Sequence, residues 1–353
     1  MARHHIATSI HGPALGPVRL WLLVIAGMVG LTAVVGAATR LTGSGLSITE
    51  WNVIGGVIPP LSEAQWLDAF DKYRQIPQYR ELNRGMSLDA FKAIFWWEWA
   101  HRLLARGIGF AFALPLIGFA LTGRIPSRML PRLAGLLVLG GLQGAVGWYM
   151  VKSGLVDRID VSQYRLALHL GLAVLIFALL IWTCLDLGTE GRTASVDLHT
   201  LTPEATLTAH VVTALVFLQV LLGALVAGLK AGKTYNTWPL MDGALVPDGL
   251  FIQAPWYRNI FENAAMVQFN HRMMAYIVVI LTLAHAWRVV GMADARRVRI
   301  SALLLAIVAL AQTAIGIWTL LAWVPVSLGV AHQVGALALM AASVAHLHAI
   351  RRS

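Results

Sequence analysis

The sequence predicts an all-α membrane protein, on three observations. Hydrophobic residues make up 58% of the chain, and charged residues make up 12%, about half the share usual in a soluble domain. Eight apolar runs are each long enough to cross a bilayer, which takes about 20 residues. Arginines cluster in alternate short loops, as they do on the cytoplasmic side of membrane proteins. A membrane protein of this kind explains the net charge of +10 without nucleic acid as a partner.

The spans alternate across the membrane and leave two long loops on one side. An even number of spans places both termini on the arginine-rich face, which we expect to be cytoplasmic. Residues 1–17 then form a cytoplasmic tail, and loops 40–98 and 229–268 lie on the other face. Residues 62–74 have the pattern of an amphipathic surface helix. The predicted spans lie near residues 18–39, 99–122, 130–151, 164–186, 205–228, 269–290, 299–321 and 326–349.

The chain contains an internal repeat. A His-Arg pair in the second span recurs in the sixth, a Gln and a Gly four residues apart in the third recur in the seventh, and the histidine of the fourth recurs in the eighth. In the first long loop, glycine, tryptophan and proline positions recur 187 residues later, Gly45, Trp51, Gly56 and Pro60 matching Gly232, Trp238, Gly243 and Pro247. We therefore predict two four-helix bundles, over residues 18–190 and 205–350, related by a pseudo-two-fold axis along the membrane normal.

Four histidines lie at similar depth near the non-cytoplasmic ends of the even-numbered spans: His101, His169, His271 and His332. An ionisable side chain in lipid is expensive and usually marks a functional site. Imidazole is also the usual axial ligand of a haem iron, and bundles build cofactor sites from facing helices. One pair in each half predicts two haem sites, His101 with His169 and His271 with His332.

The two predicted sites differ by one carboxyl group. Glu98 lies three residues before His101 and shares its helix face, whereas the corresponding residue of the second half is Gln268. This asymmetry predicts chemistry in the first half and a resident cofactor in the second. The alternative is that Glu98 is an interfacial charge at a helix N-terminus, where the helix dipole favours it.

One arginine directly follows the first histidine of each pair. Arg102 and Arg272 are candidate contacts for haem propionates, which guanidinium groups bind well. They are alternatively interfacial residues that extend toward water. Trp51 and Trp238 either anchor the loops at the interface or pack over the two sites.

Two further histidines support a rival interpretation. His285 and His346 each lie fourteen residues after a predicted ligand, so they share its helix face. That spacing resembles b-type cytochromes that stack two haems across a membrane. Alternatively, both residues are interfacial histidines at the inner helix ends and need no partner. The single cysteine, Cys184, predicts a packed apolar position and excludes an intrachain disulfide.

With these residues assembled, the chain resembles the haem A synthase family over nearly its whole length, from about Leu31 to the last helix. The resemblance is to the proteobacterial and mitochondrial branch, because other bacterial members carry a cysteine pair in the outer loops that this sequence lacks. Its carriers are the segments RLTGSGLSITEW, GGVIPP, FWWEWAHR, LALHLG, MVQFNHR and GVAHQ.

The resemblance implies an oxidoreductase of the bacterial inner membrane with its haem sites toward the periplasm. The family oxidises the C8 methyl of haem O to a formyl group through successive hydroxylations. By resemblance, His101 and His169 hold the substrate haem O, and Glu98 is the catalytic residue. His271 and His332 would hold a permanent haem b, the cofactor, which relays electrons.

The implied partners are haem O, the farnesyltransferase that makes it, an unnamed electron acceptor and membrane lipid. Two alternatives stay open on the sequence. One is a multi-haem b-type cytochrome that carries electrons from quinol, and the other is a chaperone that binds haem without changing it.

Overall fold

A computed structural model describes residues 15–52, 55–189, 202–293 and 295–352. Within those residues the chain forms eleven α-helices and no β-strand. Eight of the helices are long and apolar enough to span a membrane, which confirms the predicted fold class. Most of the predicted tail, residues 1–14, and the predicted boundary at residue 190 lie outside the described part.

Eight long helices and three short ones follow one another along the chain. The short helices all belong to the two long loops. In chain order the helices are α1 (Gly16–Leu41), α2 (Glu63–Arg74), α3 (Pro77–Glu81), α4 (Leu88–Leu121), α5 (Leu130–Asp157), α6 (Gln163–Thr189), α7 (Pro203–Gly228), α8 (Asn259–Glu262), α9 (Ala264–Met292), α10 (Arg296–Leu321) and α11 (Val326–Arg351).

The clearest departure from the predicted boundaries is α4, which begins at Leu88 rather than near residue 99. The side chain of Ser87 accepts a hydrogen bond from the Ala90 backbone and caps the helix. The first turns then bury Phe91 and Phe95 against α2. Hydropathy detects the membrane segment alone, so it missed these turns. The predicted amphipathic helix at 62–74 is confirmed as α2, with a capping box between Ser62 and Gln65.

Contacts between helices follow the same pattern in both halves. Helix α1 packs on α4 and α6, as α7 packs on α9 and α11, and the halves meet where α6 contacts α7 and α11 contacts α1. We call the end with residues 42–87 and 229–263 the loop face and the other end the opposite face. One apolar core joins the halves, with Leu22, Val174, Val216 and Val344 among its buried residues.

Polar ties connect the helix ends at both faces. At the loop face, Arg40 of α1 donates to the Gly228 carbonyl of α7 at 3.0 Å and to Asp160 at 3.1 Å. At the opposite face, Asp186 of α6 accepts hydrogen bonds from Arg132 and Arg352. These ties fix the helices between which the four predicted ligands lie.

Candidate functional site

The structure brings the four predicted histidines together in the two predicted pairs. The ring centres of His101 and His169 are 6.4 Å apart, and those of His271 and His332 are also 6.4 Å apart. An iron about 2 Å from one nitrogen of each ring, with each nitrogen roughly 1 Å from its ring centre, needs about 6 Å between the centres. Both pairs therefore fit a bis-histidine haem iron.

A glycine on the neighbouring helix makes room for each imidazole. A Cβ atom placed on Gly36 or Gly147 would lie 2.8 or 2.9 Å from the Cε1 atom of His101 or His169. On Gly223 or Gly316 it would lie 3.1 or 2.8 Å from the same atom of the second pair. At the three positions below 3.0 Å an added Cβ would force the imidazole to shift, and at Gly223 the contact would be tight, so glycine is the residue that fits this approach. The repeat includes Gly147 and Gly316, the glycines of the third and seventh spans, but it does not reveal their contact with the ligands.

Four residues before each of these glycines, a polar residue holds the same histidine. Gln143, Gln219 and Gln312 each donate an amide hydrogen bond at 3.0 Å to the backbone carbonyl of the adjacent ligand. At the fourth position the His101 Nδ1–H group donates to the Thr32 carbonyl at 3.0 Å. A ligand histidine commonly donates its other ring N–H in this way, which leaves Nε2 for the metal.

Sequence reasoning missed two of these four residues. A search for a polar residue and a glycine four positions apart, on the helix before each ligand, would have found Thr32 and Gln219. The side-chain carbonyl oxygens of the three glutamines are buried without a hydrogen-bond partner among the described residues. The amide nitrogens of Gln143 and Gln219 also lie 3.1 Å from Nδ1 of the adjacent ligand ring, and a flip of the amide would present its oxygen to that nitrogen instead.

Glu98 lies buried between α4 and the first loop, with 2% of its surface exposed. One carboxylate oxygen accepts from the Ser47 hydroxyl at 2.7 Å and from the Ile48 backbone at 2.9 Å. The other accepts from Arg102 at 2.6 Å. All three partners are donors, so both oxygens of the carboxyl group act as acceptors. This carboxyl group lies one turn from His101, where no carboxylate exists in the second half.

Gln268 occupies the same place in the second half with a different chemistry. Its amide donates to the Tyr235 carbonyl at 2.9 Å and accepts from the Tyr235 backbone at 3.1 Å. Tyr235 matches Ile48 in the repeat. The two sites therefore share their loop contacts, while the neutral amide replaces the carboxylate.

The two arginines predicted to contact haem propionates, Arg102 and Arg272, donate hydrogen bonds to the long loops. Arg102 donates to the carbonyls of Ile48 and Glu50 at 2.8 and 3.0 Å. Arg272 donates to those of Tyr235 and Thr237 at 2.6 and 2.9 Å. A contact with propionates stays a prediction, and what the structure shows is a clamp between each loop and its ligand helix.

A small cleft opens beside Arg102 in the first half. Trp51, Trp148 and Lys152 contribute to its lining, and the Arg102 guanidinium lies 5.2 Å from the centre of the Trp51 ring. Lys152 matches Leu321 in the second half, so this positive charge is specific to the first. The sequence interpretation did not single it out.

The extra helices of the first loop hold the segment that binds Glu98. Leu46, next to Ser47, is buried in a cluster with Phe70, Tyr73 and Phe91. The Tyr73 hydroxyl donates to Gln78 at 3.0 Å, and Gln78 in turn donates to the Gly43 carbonyl at 3.1 Å. Burial raises the pKa of the Tyr73 phenol above its ordinary value, so the hydroxyl stays a donor.

His285 and His346 do not form a second haem site. Their Nε2 atoms are 2.8 Å apart in a direct hydrogen bond, and their ring centres are 5.0 Å apart. That separation leaves no room for an iron between them. They also differ from free interfacial histidines, because both are buried and partnered.

Comparison with known proteins agrees with this arrangement. The sequence pattern of the family described as cytochrome oxidase assembly protein, COX15-CtaA, matches residues 19–344. The chain belongs to this family. The match contains all four histidines and both long loops.

Relatives named heme A synthase are similar along almost the whole chain. The one from Parvibaculum lavamentivorans is 52% identical over 332 residues, which cover 94% of each chain. The one from Brucella anthropi is 52% identical over 339 residues, covering 95% of this chain and 92% of its own. The one from Agrobacterium fabrum is 53% identical over 335 residues, covering 93% and 88%.

Proposed function

We propose that this chain is a haem A synthase, an oxidoreductase that converts the C8 methyl of haem O to a formyl group. The similarity to relatives of that name over nearly the full length supports the reaction. Within it, His101 and His169 hold the substrate haem O, and His271 and His332 hold a resident haem b. The assignment of the substrate to the first histidine pair rests on Glu98, which places a buried carboxylate beside that pair. The second pair has no such carboxylate.

The packing of the two halves supports the same division of roles. Within their spanning stretches, 6% of residues are buried in α4 and in the segment containing α5, against 28% in α9 and α10. On α5, Gly140, Gly141 and Gly144 have open space where a side chain would lie, and their counterparts are Ala309, Leu310 and Thr313. A substrate with a prenyl tail needs exchange with lipid, whereas a resident haem needs enclosure.

In this function the chain's own residues position and charge the substrate site. Thr32 fixes the ring of His101, and Ser47, Ile48 and Arg102 fix the carboxylate of Glu98 in place. That fixed negative charge accepts a proton or stabilises positive charge that develops at the methyl carbon during its oxidation. The resident haem b, when bound, supplies a relay for the electrons released. Arg102 and Lys152 offer positive charge to the substrate's propionates.

The chain is a multi-pass membrane protein, and its orientation belongs to the proposal. The arginine-rich opposite face is cytoplasmic, and the loop face with both haem sites is periplasmic in a bacterial inner membrane. The division into residues 18–190 and 205–350 follows the repeat. The farnesyltransferase that makes haem O is the proposed donor of the substrate.

The test is to purify the chain from cells that make haem O and to identify its haems by mass. We expect haem B together with haem O, its alcohol or haem A. Glu98→Gln, which copies the second half, should keep both haems but lower haem A formation about 100-fold or more. His271→Ala is the matched control and should lose haem B.

Two results would contradict the proposal. Full conversion to haem A by Glu98→Gln with normal haem content would remove Glu98 from the chemistry. Haem B as the sole haem, at two or three per chain, would favour an electron-carrying cytochrome.

A further inference from the structure

Four helices of the second half contribute one polar side chain each to a continuous row near the opposite face. The Thr208 hydroxyl lies 2.8 Å from His285 Nδ1, and His285 Nε2 lies 2.8 Å from His346 Nε2. His346 Nδ1 in turn lies 2.8 Å from the Ser301 hydroxyl. We call these four residues the histidine row. His285 and His346 are 4% and 1% exposed.

Counting protons in the row shows that it accommodates one extra. Thr208 donates its hydroxyl proton to the Ala205 carbonyl at 3.1 Å, and Ser301 donates to the Val298 carbonyl at 2.9 Å. Each hydroxyl can then only accept from its imidazole, so both Nδ1 atoms carry hydrogen. Two such neutral rings would face each other with bare Nε2 lone pairs. One added proton between the Nε2 atoms resolves this conflict and makes the row singly positive.

The neutral form of the row needs only a small change. If one hydroxyl turns from its carbonyl to the adjacent Nδ1, that ring becomes the Nε2–H tautomer and donates to the other ring. The two forms therefore differ by one proton and one hydroxyl rotation, and no heavy atom has to move. Thr208 and Ser301 are only half-buried and lie within two turns of the opposite-face ends of α7 and α10, so the ends of the row are its parts nearest to the water at that face.

The fold by itself does not require this row. In the first half the positions of Thr208, His285, Ser301 and His346 are taken by Trp21, Pro115, Arg132 and Thr183. The Trp21 indole donates to the Ala111 carbonyl at 2.8 Å, which Pro115 leaves without its helical partner because proline has no N–H. At this depth Arg132 pairs with Asp186 and Thr183 donates to the Leu179 carbonyl of its own helix, so the described residues of the first half form no such row.

The row lies on the two helices that carry the proposed haem b ligands. His285 and His346 are each fourteen residues from those ligands, about 21 Å along the helix. One turn nearer the haem site, the Thr282 hydroxyl is fully buried and has no partner among the described residues. Its counterpart in the first half is Phe112. Thr282 thus adds one buried polar group on α9 between the row and the haem site.

We propose that the histidine row binds a proton when the resident haem is reduced and releases it when that haem is oxidised. This inference rests on the proposed haem b of the second half. An electron on the iron removes one positive charge from the site, so a proton on the row meets less repulsion. In the proposed function an electron released by oxidation of the substrate would enter the haem while up to one proton enters the row from the opposite face. Passage of that electron to the acceptor would release the proton again.

The other charged groups near the row are largely engaged with one another. Arg288 of α9 pairs with Glu204 of α7 at 3.4 Å, and His348 of α11 pairs with Asp186 of α6 at 3.1 Å. Arg297 and Arg299 of α10 add positive charge at this face. This positive charge opposes protonation of the row. Reduction of the haem lowers the total positive charge that a proton on the row would meet, and so favours protonation.

The test is a redox titration of haem b in the purified full chain between about pH 6 and pH 9. In the wild type we expect the midpoint potential to fall as pH rises, because reduction takes up a proton. His346→Gln keeps a hydrogen-bonding side chain that binds no proton, and it should at least halve this slope. His210→Gln is the control, because His210 is an exposed histidine of α7 bound to its own helix. It should keep the wild-type slope.

A second measurement covers the case in which His346→Gln binds haem b poorly. His285→Gln carries the same expectation, and proton uptake on reduction, followed with a pH-indicator dye, should fall at least twofold in either variant. The inference would be overturned if the haem-containing variants matched the wild type both in the slope of midpoint potential against pH and in proton uptake on reduction. A wild-type chain without haem b in its second half would instead overturn the proposed function on which the inference rests.

Discussion

On α4 Arg102 pairs with the carboxylate of Glu98, whereas at the same turn of α9 Arg272 and the amide of Gln268 both donate to one loop carbonyl, that of Tyr235. Arg102 and Arg272 clamp matching loop carbonyls, Ile48 with Glu50 and Tyr235 with Thr237. The scaffold is therefore repeated down to single hydrogen bonds, and Glu98 alone brings a buried negative charge to one copy. A duplicated frame of this kind lets one site change its chemistry while the other keeps its geometry.

The halves also differ at the opposite face, where the histidine row is found in the second half only. Trp21 packs on Phe112 in the first half with ring centres 5.0 Å apart, where the second half has Thr208 and Thr282. Each half is thus specialised at one end, the first at the loop face and the second at the opposite face. Substitutions that make one half resemble the other can test each difference.

The largest effect on haem content should come from filling the space beside one ligand at a time. Gly316→Ala should remove haem from the second half, and Gly147→Ala should remove it from the first. The added Cβ would lie 2.8 or 2.9 Å from the ligand ring. Overpacking of about 1–3 kcal/mol lowers haem affinity roughly tenfold or more. Haem content by mass, separating haem B from haem O, measures the effect.

The matched control is Gly118→Ala, which adds the same methyl group to α4 where no atom lies within 4 Å. It should keep normal haem content. Loss of both haems from either Gly147→Ala or Gly316→Ala would show that the halves do not bind haem independently.

Removing the loop clamp should destabilise the first half more than the second. Arg102→Ala leaves Glu98 buried without its ion pair, and we expect a loss of about 3–5 kcal/mol. Arg272→Ala leaves only neutral carbonyls unpaired, for about 1–3 kcal/mol. Thermal unfolding of the two purified variants measures the difference. Equal losses would mean that the ion pair with Glu98 adds nothing to the clamp.

The carboxylate should depend on the loop that binds it. Ser47→Ala removes the 2.7 Å hydrogen bond to Glu98, and a hydrogen bond to a charged group contributes about 1.5–3 kcal/mol. We expect haem A formation to fall roughly tenfold with unchanged haem content, if this bond fixes the carboxylate in its working position. Thr234→Ala, the equivalent change in the second half, should leave the rate near that of the wild type. A fall of the same size in both would point to a general effect on the loops.

The smallest effect concerns the positive charge of the cleft. Lys152→Leu copies Leu321 of the second half and should raise the KM for haem O roughly two- to fourfold, with kcat unchanged, because Lys152 is exposed and its pairing is weak. Steady-state assays with haem O as the varied substrate measure KM and kcat separately. An unchanged KM would place the propionates elsewhere.

Much of this molecule is determined by the sequence. Hydropathy gave the eight spans, because a bilayer requires long apolar helices. The repeat and the four histidines gave both ligand pairs, since a side chain at a fixed depth on each even-numbered span has to face the bundle or lipid. Glu98 was singled out because its counterpart is Gln268.

Tertiary packing decided what hydropathy and spacing leave open. The start of α4 at Leu88 depends on aromatic contacts with α2 outside the membrane. Spacing placed His285 and His346 on the ligand faces, but the distance between α9 and α11 determines whether an iron or a shared proton lies between the rings. The Nε2 atoms are 2.8 Å apart, so the two rings are joined by a hydrogen bond and no iron fits between them. Periodicity fixes which face a residue occupies, and packing between helices sets how far apart two faces lie.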